Sequence, residues 1–247
     1  MVDQDSTAAT LFKALIKPDP TRPVMTYYDH GTGERTELSG VTMDNWVAKT
    51  ANLLVDGCGL GRGDVAALWL PPHWQTAAVL LGCWSAGLAV EVEPAGEVDA
   101  AVAFAAAAII EGAPTPLAPY TPERYALGLA PMGLPLAAAP AGWADYVVEV
   151  RGHGDQYSGP PPANPDPAWV EPDQRMGSHT AFCERALQRA RELAIPPGGR
   201  VLFDVTAYPD PIDWLMAPLA VGATTVLSVG VSDTRALAAA ENATAVP

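Results

Sequence analysis

From Val65 to Ile110 short apolar runs alternate with helical patterns, and this alternation restricts the chain to folds built on a parallel sheet with crossover helices. The run VAALWL at 65–70 lies between the turn residues GLGRGD and a pair of prolines. It is apolar throughout, as a strand covered on both faces must be. Trp74–Ala86 follows as a helix stopped by Gly87, and LAVEVEP at 88–94 reads as a strand again. A further buried strand within Val98–Phe104 and a helix into Ile110 continue the pattern.

Upstream, Leu11 with Leu15 and Phe12 with Ile16 stand at helical spacing behind a Thr cap, and Pro18 and Pro20 end the pattern. VMTYYD at 24–29, the turn residues HGTGER and the stretch TELSG carry a hairpin signature. From Thr42, placed to cap, Trp46, Val47, Leu53 and Leu54 recur on one helical face, and Gly57 or Gly59 supplies a left-handed stop. Downstream, residues 112–144 are rich in Pro, Gly and Ala with weak periodicity, and DYVVEV at 145–150 reads as a strand. Residues 151–178 form a loop with six prolines, and so long a loop inside a compact domain is functional or partly disordered. A helix over Thr180–Leu193, a strand at Val201–Val205, a helix around Trp214–Leu219 and a strand at Thr224–Val229 keep the alternation to the end, with no internal repeat.

Composition narrows the function classes. The 247 residues are 49% apolar, the globular norm, so a sizeable core is available. A net charge of −14 means the average surface repels phosphate backbones and anionic headgroups, which argues against nucleic acid and bare membrane as partners. Cys58, Cys83 and Cys183 lack C-x-x-C spacing and read as reduced core thiols. Acids precede any apolar stretch at the N-terminus, unlike a signal peptide, and the longest apolar run, 100–110, is about half of the roughly 20 residues a bilayer needs, so a cytoplasmic protein is expected. The 25 prolines fit a GC-rich codon bias without structural purpose.

Three blocks, in order, carry a resemblance to a known family. The stretch GLGRGDVAALWLPPHWQTAAVLLGCWSAGLAVEVEP at 59–94 resembles the G-D-x-V-A strand, helix and Pro-ended strand of the adenylate-forming superfamily: acyl-CoA synthetases, luciferases and peptide-synthetase adenylation domains. Asp64 abuts Val65, one residue short of that pattern. DPAWV at 166–170 and SHTAF at 178–182 look like the segments flanking the family's phosphate loop. VLFDVTAYPDPIDWLMAPLAVGATTVLS at 201–228 looks like the strand, helix and G-A-T-V-V-L strand that come next in the same family. The resemblance spans about 24–230, roughly the first half of a family member, and points to a small group of truncated actinobacterial relatives.

The resemblance also implies what is missing. Where the family carries about a dozen residues of the pattern Y-T-S-G-T-T-G-x-P-K-G, this sequence has seven, EPDQRMG at 171–177. A phosphate loop offers glycine amides, hydroxyls and a lysine to the triphosphate. The replacement offers Arg175 and Gly177 beside the acids Glu171 and Asp173, followed by Ser178 and His179. The family's His on the later loop is also absent, with Ala207 and Tyr208 in its neighbourhood. The sequence stops at Pro247, before the adenine- and ribose-binding segments and the mobile domain with its catalytic Lys.

Other candidates yield to structural readings. Gly57, Gly59, Gly61 and Gly63 follow a helix and precede a strand, the reverse of a dinucleotide fingerprint. Ser178 and His179 with Asp173 or Asp155 could form a triad in some chain order, yet no nucleophile elbow surrounds them, and the resemblance explains them as the cap and first turn of the next helix. His153 with Asp155, and His30 and His73, are scattered and do not make a metal set. Trp74, Trp84, Trp143, Trp169 and Trp214 fit core or groove positions, and some could line an inherited acyl pocket.

The resemblance therefore implies an α/β fold of two interleaved lobes with mainly parallel sheets flanked by helices. Residues 24–60 with 180–230 make one lobe, 61–170 the other, and the 151–178 loop crosses between them. The expected function is a pseudoenzyme with no catalytic residues, no metal and no cofactor, a remnant phosphate-loop region at Arg175, Gly177, Ser178 and His179, and self-association or a protein partner on the surface bared by the missing half. The alternative is an acyl-CoA synthetase-like enzyme with residual activity or completed by a partner subunit, in which case ATP, AMP or CoA binds.

Overall fold

A computed structural model describes residues 2, 5–94, 99–171 and 173–246. Helix α1 (Ala8–Ile16) opens on a capping box: the Thr7 hydroxyl accepts from the Thr10 amide and the Thr10 hydroxyl from the Thr7 amide. Strands β1 (Pro23–Asp29) and β2 (Glu34–Ser39) form the expected hairpin through Gly33, at φ 79°. Helix α2 (Gly40–Asn52) starts earlier than its sequence suggested. Its cap is Ser39, whose hydroxyl accepts from the Thr42 amide at 3.2 Å, so Thr42 is already inside the first turn. The helix widens into a π-turn at Leu53–Gly57, and of the two candidate stops Gly59 is the left-handed one, at φ 69°.

Strand β3 (Val65–Trp69), helix α3 (Trp74–Ala86) and strand β4 (Ala89–Val92) fall where the apolar alternation placed them, with Gly87 at φ 87° closing the helix. Strand β5 (Val102–Ala106) and helix α4 (Ala107–Gly112) follow, while Val98, where the expected strand window began, is outside the described residues. The segment read as weakly periodic contains β6 (Glu123–Leu127), paired in parallel with β5 and buried at Tyr125, Ala126 and Leu127.

DYVVEV is not a strand. Only Ala144–Asp145 extends, as β7, and Tyr146–Arg151 forms helix α5. Asp145 caps it, accepting from the amides of Val147 at 2.8 Å and Val148 at 3.3 Å, and the buried set Tyr146, Val147 and Val150 has helical rather than alternating spacing.

After the proline-rich segment come β8 (Pro167–Val170), β9 (Met176–Ser178), α6 (His179–Glu192) and β10 (Arg200–Asp204). The helix expected around Trp214 begins as a π-turn, Ile212–Met216, and continues as α7 (Ala217–Ala220). Strand β11 (Thr224–Val229), helix α8 (Thr234–Ala240) and strand β12 (Thr244–Ala245) complete the order.

The strands form two sheets, β12-β10-β11-β1-β2 and β7-β6-β5-β3-β4-β8-β9, parallel except where β2 and β9 pair at an edge. This is an α/β fold of two mainly parallel sheets flanked by helices. The main core joins both sheets, with Met25, Tyr27 and Phe203 on one side and Leu68, Val90 and Phe104 on the other.

Between them runs α3, all thirteen of whose residues are buried, which is why its sequence is apolar apart from Gln75, Thr76 and Ser85. Trp84 ties it to the second sheet by donating its indole N–H to the Ala168 carbonyl at 2.8 Å. Each large side chain so buried contributes about 1.5–3 kcal/mol. No helix among the described residues is long and apolar enough to cross a membrane.

The long loop is held by polar side chains of α2. Lys49 Nζ donates to the His153 carbonyl at 2.6 Å and pairs with Asp155, and Asn52 donates to the carbonyls of Gly154 and Gln156 at 2.9 Å each. Its second half is fixed by an Arg62–Asp166 ion pair at 3.1 Å. Cys83 and Cys183 are buried and Cys58 half-buried, all as free thiols.

Candidate functional site

The segment 171–177, where the resemblance expects a phosphate loop, lies in a β-hairpin. Strands β8 and β9 pair antiparallel, and the turn between them closes on itself: the Glu171 amide donates to the Arg175 carbonyl and the Gln174 amide to the Glu171 carbonyl, both at 2.8 Å. Gln174 takes φ 63°, and its side-chain amide donates to Glu91 at 2.9 Å. The Arg175 amide and the Nε of its guanidinium both go to the Asp173 carboxylate, at 3.2 and 2.6 Å, an exposed pair that competes with any anion for this cation. Those bonds hold the Asp173 carboxyl below its ordinary range. Glu171 faces Arg185 of α6 at 3.5 Å.

The start of α6 is equally occupied. The His179 amide donates to the Asp166 carbonyl at 3.0 Å, the Thr180 amide to the Asn164 carbonyl at 3.2 Å, and the Ala181 amide to the Ser178 hydroxyl at 3.3 Å. Anion binding at a helix start depends on amides that have no other partner. Here these amides are already bonded within the protein. Gly177 needs no positive φ, and a Cβ built on it would meet nothing nearer than 3.8 Å, so it supplies neither a left-handed turn nor a close approach.

Beside the hairpin, at the carboxyl ends of β4 and β8 where open parallel sheets bind ligands, is a cleft of about 160 Å³. Its walls include Glu91, Glu93, Glu171, Gln174 and Trp169. Glu93 adopts φ 48°, a left-handed backbone on a non-glycine residue. A phosphate at 4 Å from any one of these carboxylates is repelled by about 1 kcal/mol per unit charge even in bulk water. Sequence reasoning took Glu91 and Glu93 only as parts of a strand. Their relation to the hairpin arises from the β4–β8 pairing, which rests on the single register Val90 with Trp169.

The other candidate residues do not converge. Ser178 serves as a helix cap. His179 is completely buried with no hydrogen-bond partner on either ring nitrogen among the described residues, and burial lowers its pKa to about 4. Asp155 is engaged by Lys49 and Asp173 by Arg175. His73 caps α3, accepting from the Gln75 amide at 3.1 Å, and burial lowers its pKa to about 3. His30 Nε2 lies 3.1 Å from the Ser228 hydroxyl. Of the tryptophans, Trp74, Trp84, Trp143 and Trp214 are core, and Trp169 is half-buried against Phe182 and the acidic cleft. No group of three or more His, Cys, Asp or Glu among the described residues is arranged to hold a metal ion.

Comparison with known proteins gives the context for this geometry. Residues 12–123 match the family model described as AMP-binding enzyme. The chain is 38% identical over 227 residues to a "TIGR03089 family protein" of Mycobacterium tuberculosis (strain ATCC 25618 / H37Rv), a match covering 90% of each. Among solved structures it is similar to an acyl-CoA synthetase of Brucella canis, with TM-score 0.71 and 17% identity over 97% of this chain and 46% of that one. It is also similar to the acetoacetyl-CoA synthetase of Streptomyces lividans, with TM-score 0.72 and 18% identity over 97% of this chain and 42% of that one. The chain thus spans less than half the length of these solved structures.

Proposed function

We propose that this chain, which belongs to the TIGR03089 family and with it to the adenylate-forming superfamily of AMP-binding enzymes, is a non-catalytic binding or interaction protein that does not activate carboxylates. The observation that carries this reading is the β8–β9 hairpin, in which the Glu171, Gln174 and Arg175 amides bond within the loop and Arg175 pairs with Asp173, while three carboxylates line the adjoining cleft. Adenylate formation needs preorganised donors aimed at the charge that develops on the transferred phosphate. In the hairpin, three of the loop amides and the Arg175 Nε are turned to partners within the loop instead. Pyrophosphate exchange with a panel of carboxylic acids tests the reading directly. Background exchange throughout is the expected outcome, and exchange stimulated by any acid overturns it.

The interaction role draws on exposed apolar side chains, above all Met132 at 81% and Leu134 at 57% exposure, on a turn packed over Trp46 and Trp74. Apolar groups left in solvent in this way mark partner surfaces when they are contiguous. Light scattering on the purified chain is expected to show a species larger than the monomer, or a monomer that recruits a protein partner through this turn. A monomer whose pull-downs are unchanged by Met132→Glu with Leu134→Glu counts against it.

A second reading rests on the length relation: a separate polypeptide could supply what the solved relatives carry beyond the matched half, and the pair would then be an acyl-CoA synthetase-like enzyme. ATP-dependent thioester formation appearing only when a second protein is added would favour it.

A further inference from the structure

The geometry points to the segment Thr234–Ala245 being a latch: a cover on the outer face of the first sheet, fastened mainly through the Glu241 carboxylate and able to open while the rest of the molecule stays folded. Its apolar hold is modest, with Leu237, Ala243 and Ala245 only partly buried against Leu202 and Val226. Of the seven residues of α8 only Ala238 is buried, and β12 meets β10 through just two register pairs, Val201 with Thr244 and Leu202 with Ala245. Elements with few buried apolar contacts are drawn from the low-stability end of a fold and open locally.

Glu241, just past α8, compensates. One carboxylate takes hydrogen bonds from three strands: from the Tyr28 hydroxyl of β1, from Arg35 of β2 at 3.1 Å and from Arg200 of β10 at 2.6 Å. The donors are themselves cross-braced, Arg35 to Tyr28 at 2.7 Å and Arg200 to the Thr26 hydroxyl at 2.8 Å. Glu37 is the other carboxylate beside the two arginines, at 2.8 Å from Arg35 and 3.9 Å from Arg200. The Glu241 side chain is only 10% exposed, so these charge-assisted bonds are partly shielded from solvent. Burial pushes the Glu241 carboxyl up, but the bonds from Tyr28, Arg200 and Arg35 outweigh it and leave the pKa at about 2.

Beneath the latch lie Leu202 and Val226, both fully buried, and the β12-facing edge of β10. Release uncovers an apolar strip together with a free strand edge, the combination that accepts an added strand.

Hydrogen exchange by mass spectrometry on the full chain tests this. In Glu241→Gln, amides of 234–246 are expected to exchange at least tenfold faster, while those of α3 and β3 keep their wild-type rates. A second variant, Arg35→Gln, which removes a donor to Glu241 from the exposed side, should accelerate the same segment selectively, which keeps the test open should Glu241→Gln fold poorly. Unchanged exchange in 234–246 under both perturbations, or an equal acceleration across α3 and β3, would overturn the latch.

Discussion

Gly82 sits where α2 and α3 approach too closely for a side chain: a Cβ there would lie 2.5 Å from Cβ and Cγ2 of Thr50. Thr50 cannot step aside cheaply, because its hydroxyl bonds both the Trp46 carbonyl at 2.8 Å and the buried Tyr146 hydroxyl at 2.6 Å. Gly82→Ala is expected to cost about 1–3 kcal/mol, read as a lower denaturant midpoint. Gly177→Ala, with nothing nearer than 3.8 Å, should leave the midpoint within error.

His179 makes the pH dependence specific. Folding lowers its pKa to about 4 from the ordinary 6.5, so the unfolded chain takes up a proton that the folded chain refuses. Its contribution to stability is whole above pH 6.5 and is lost progressively as pH falls toward 4, by on the order of 3 kcal/mol in total. His179→Leu should flatten the loss between about pH 6.5 and 4.5 relative to wild type. An identical slope in both proteins would remove His179 as a source.

At the scale of elements, the legible parts were those with unambiguous punctuation. Helix α3 and strand β11 were readable to the residue because each is a dense apolar run bounded by turn residues. Strand β6 was not, since Tyr125, Ala126 and Leu127 are a short apolar island among prolines and glycines and become a strand only by pairing with β5. Helix α5 was misread because four of the six residues DYVVEV are β-prone, a preference overridden by the Asp145 cap and by the packing of Tyr146, Val147 and Val150. Asp145→Ala should therefore cost about 0.5–2 kcal/mol, the value of a helix cap, and should also loosen the 134–136 loop, because Asp145 accepts from the Leu136 amide at 2.6 Å. A neutral substitution would contradict that role. Of the candidate site, the short spacing between two matching blocks was visible, but the β8–β9 pairing that spans it was not. The glutamates at the end of β4 that complete its cleft were not visible either, because only the sheet order brings them there.

For the whole molecule, on the proposed reading, a fold shared with the AMP-binding enzymes is kept without the phosphate-binding chemistry. The two sheets, their parallel order and the buried helix between them place the β8–β9 hairpin at the carboxyl ends of the parallel strands, where open α/β sheets bind ligands. With a net charge of −14 the surroundings add no long-range attraction for an anion. The most direct measurement is calorimetric titration of the full chain with magnesium ATP at low and physiological salt. No saturable heat up to millimolar nucleotide is expected. Saturable binding that Arg175→Ala weakens tenfold or more would contradict the account, because it would place phosphates on a loop whose arginine is paired with Asp173 and whose neighbouring cleft is lined by carboxylates.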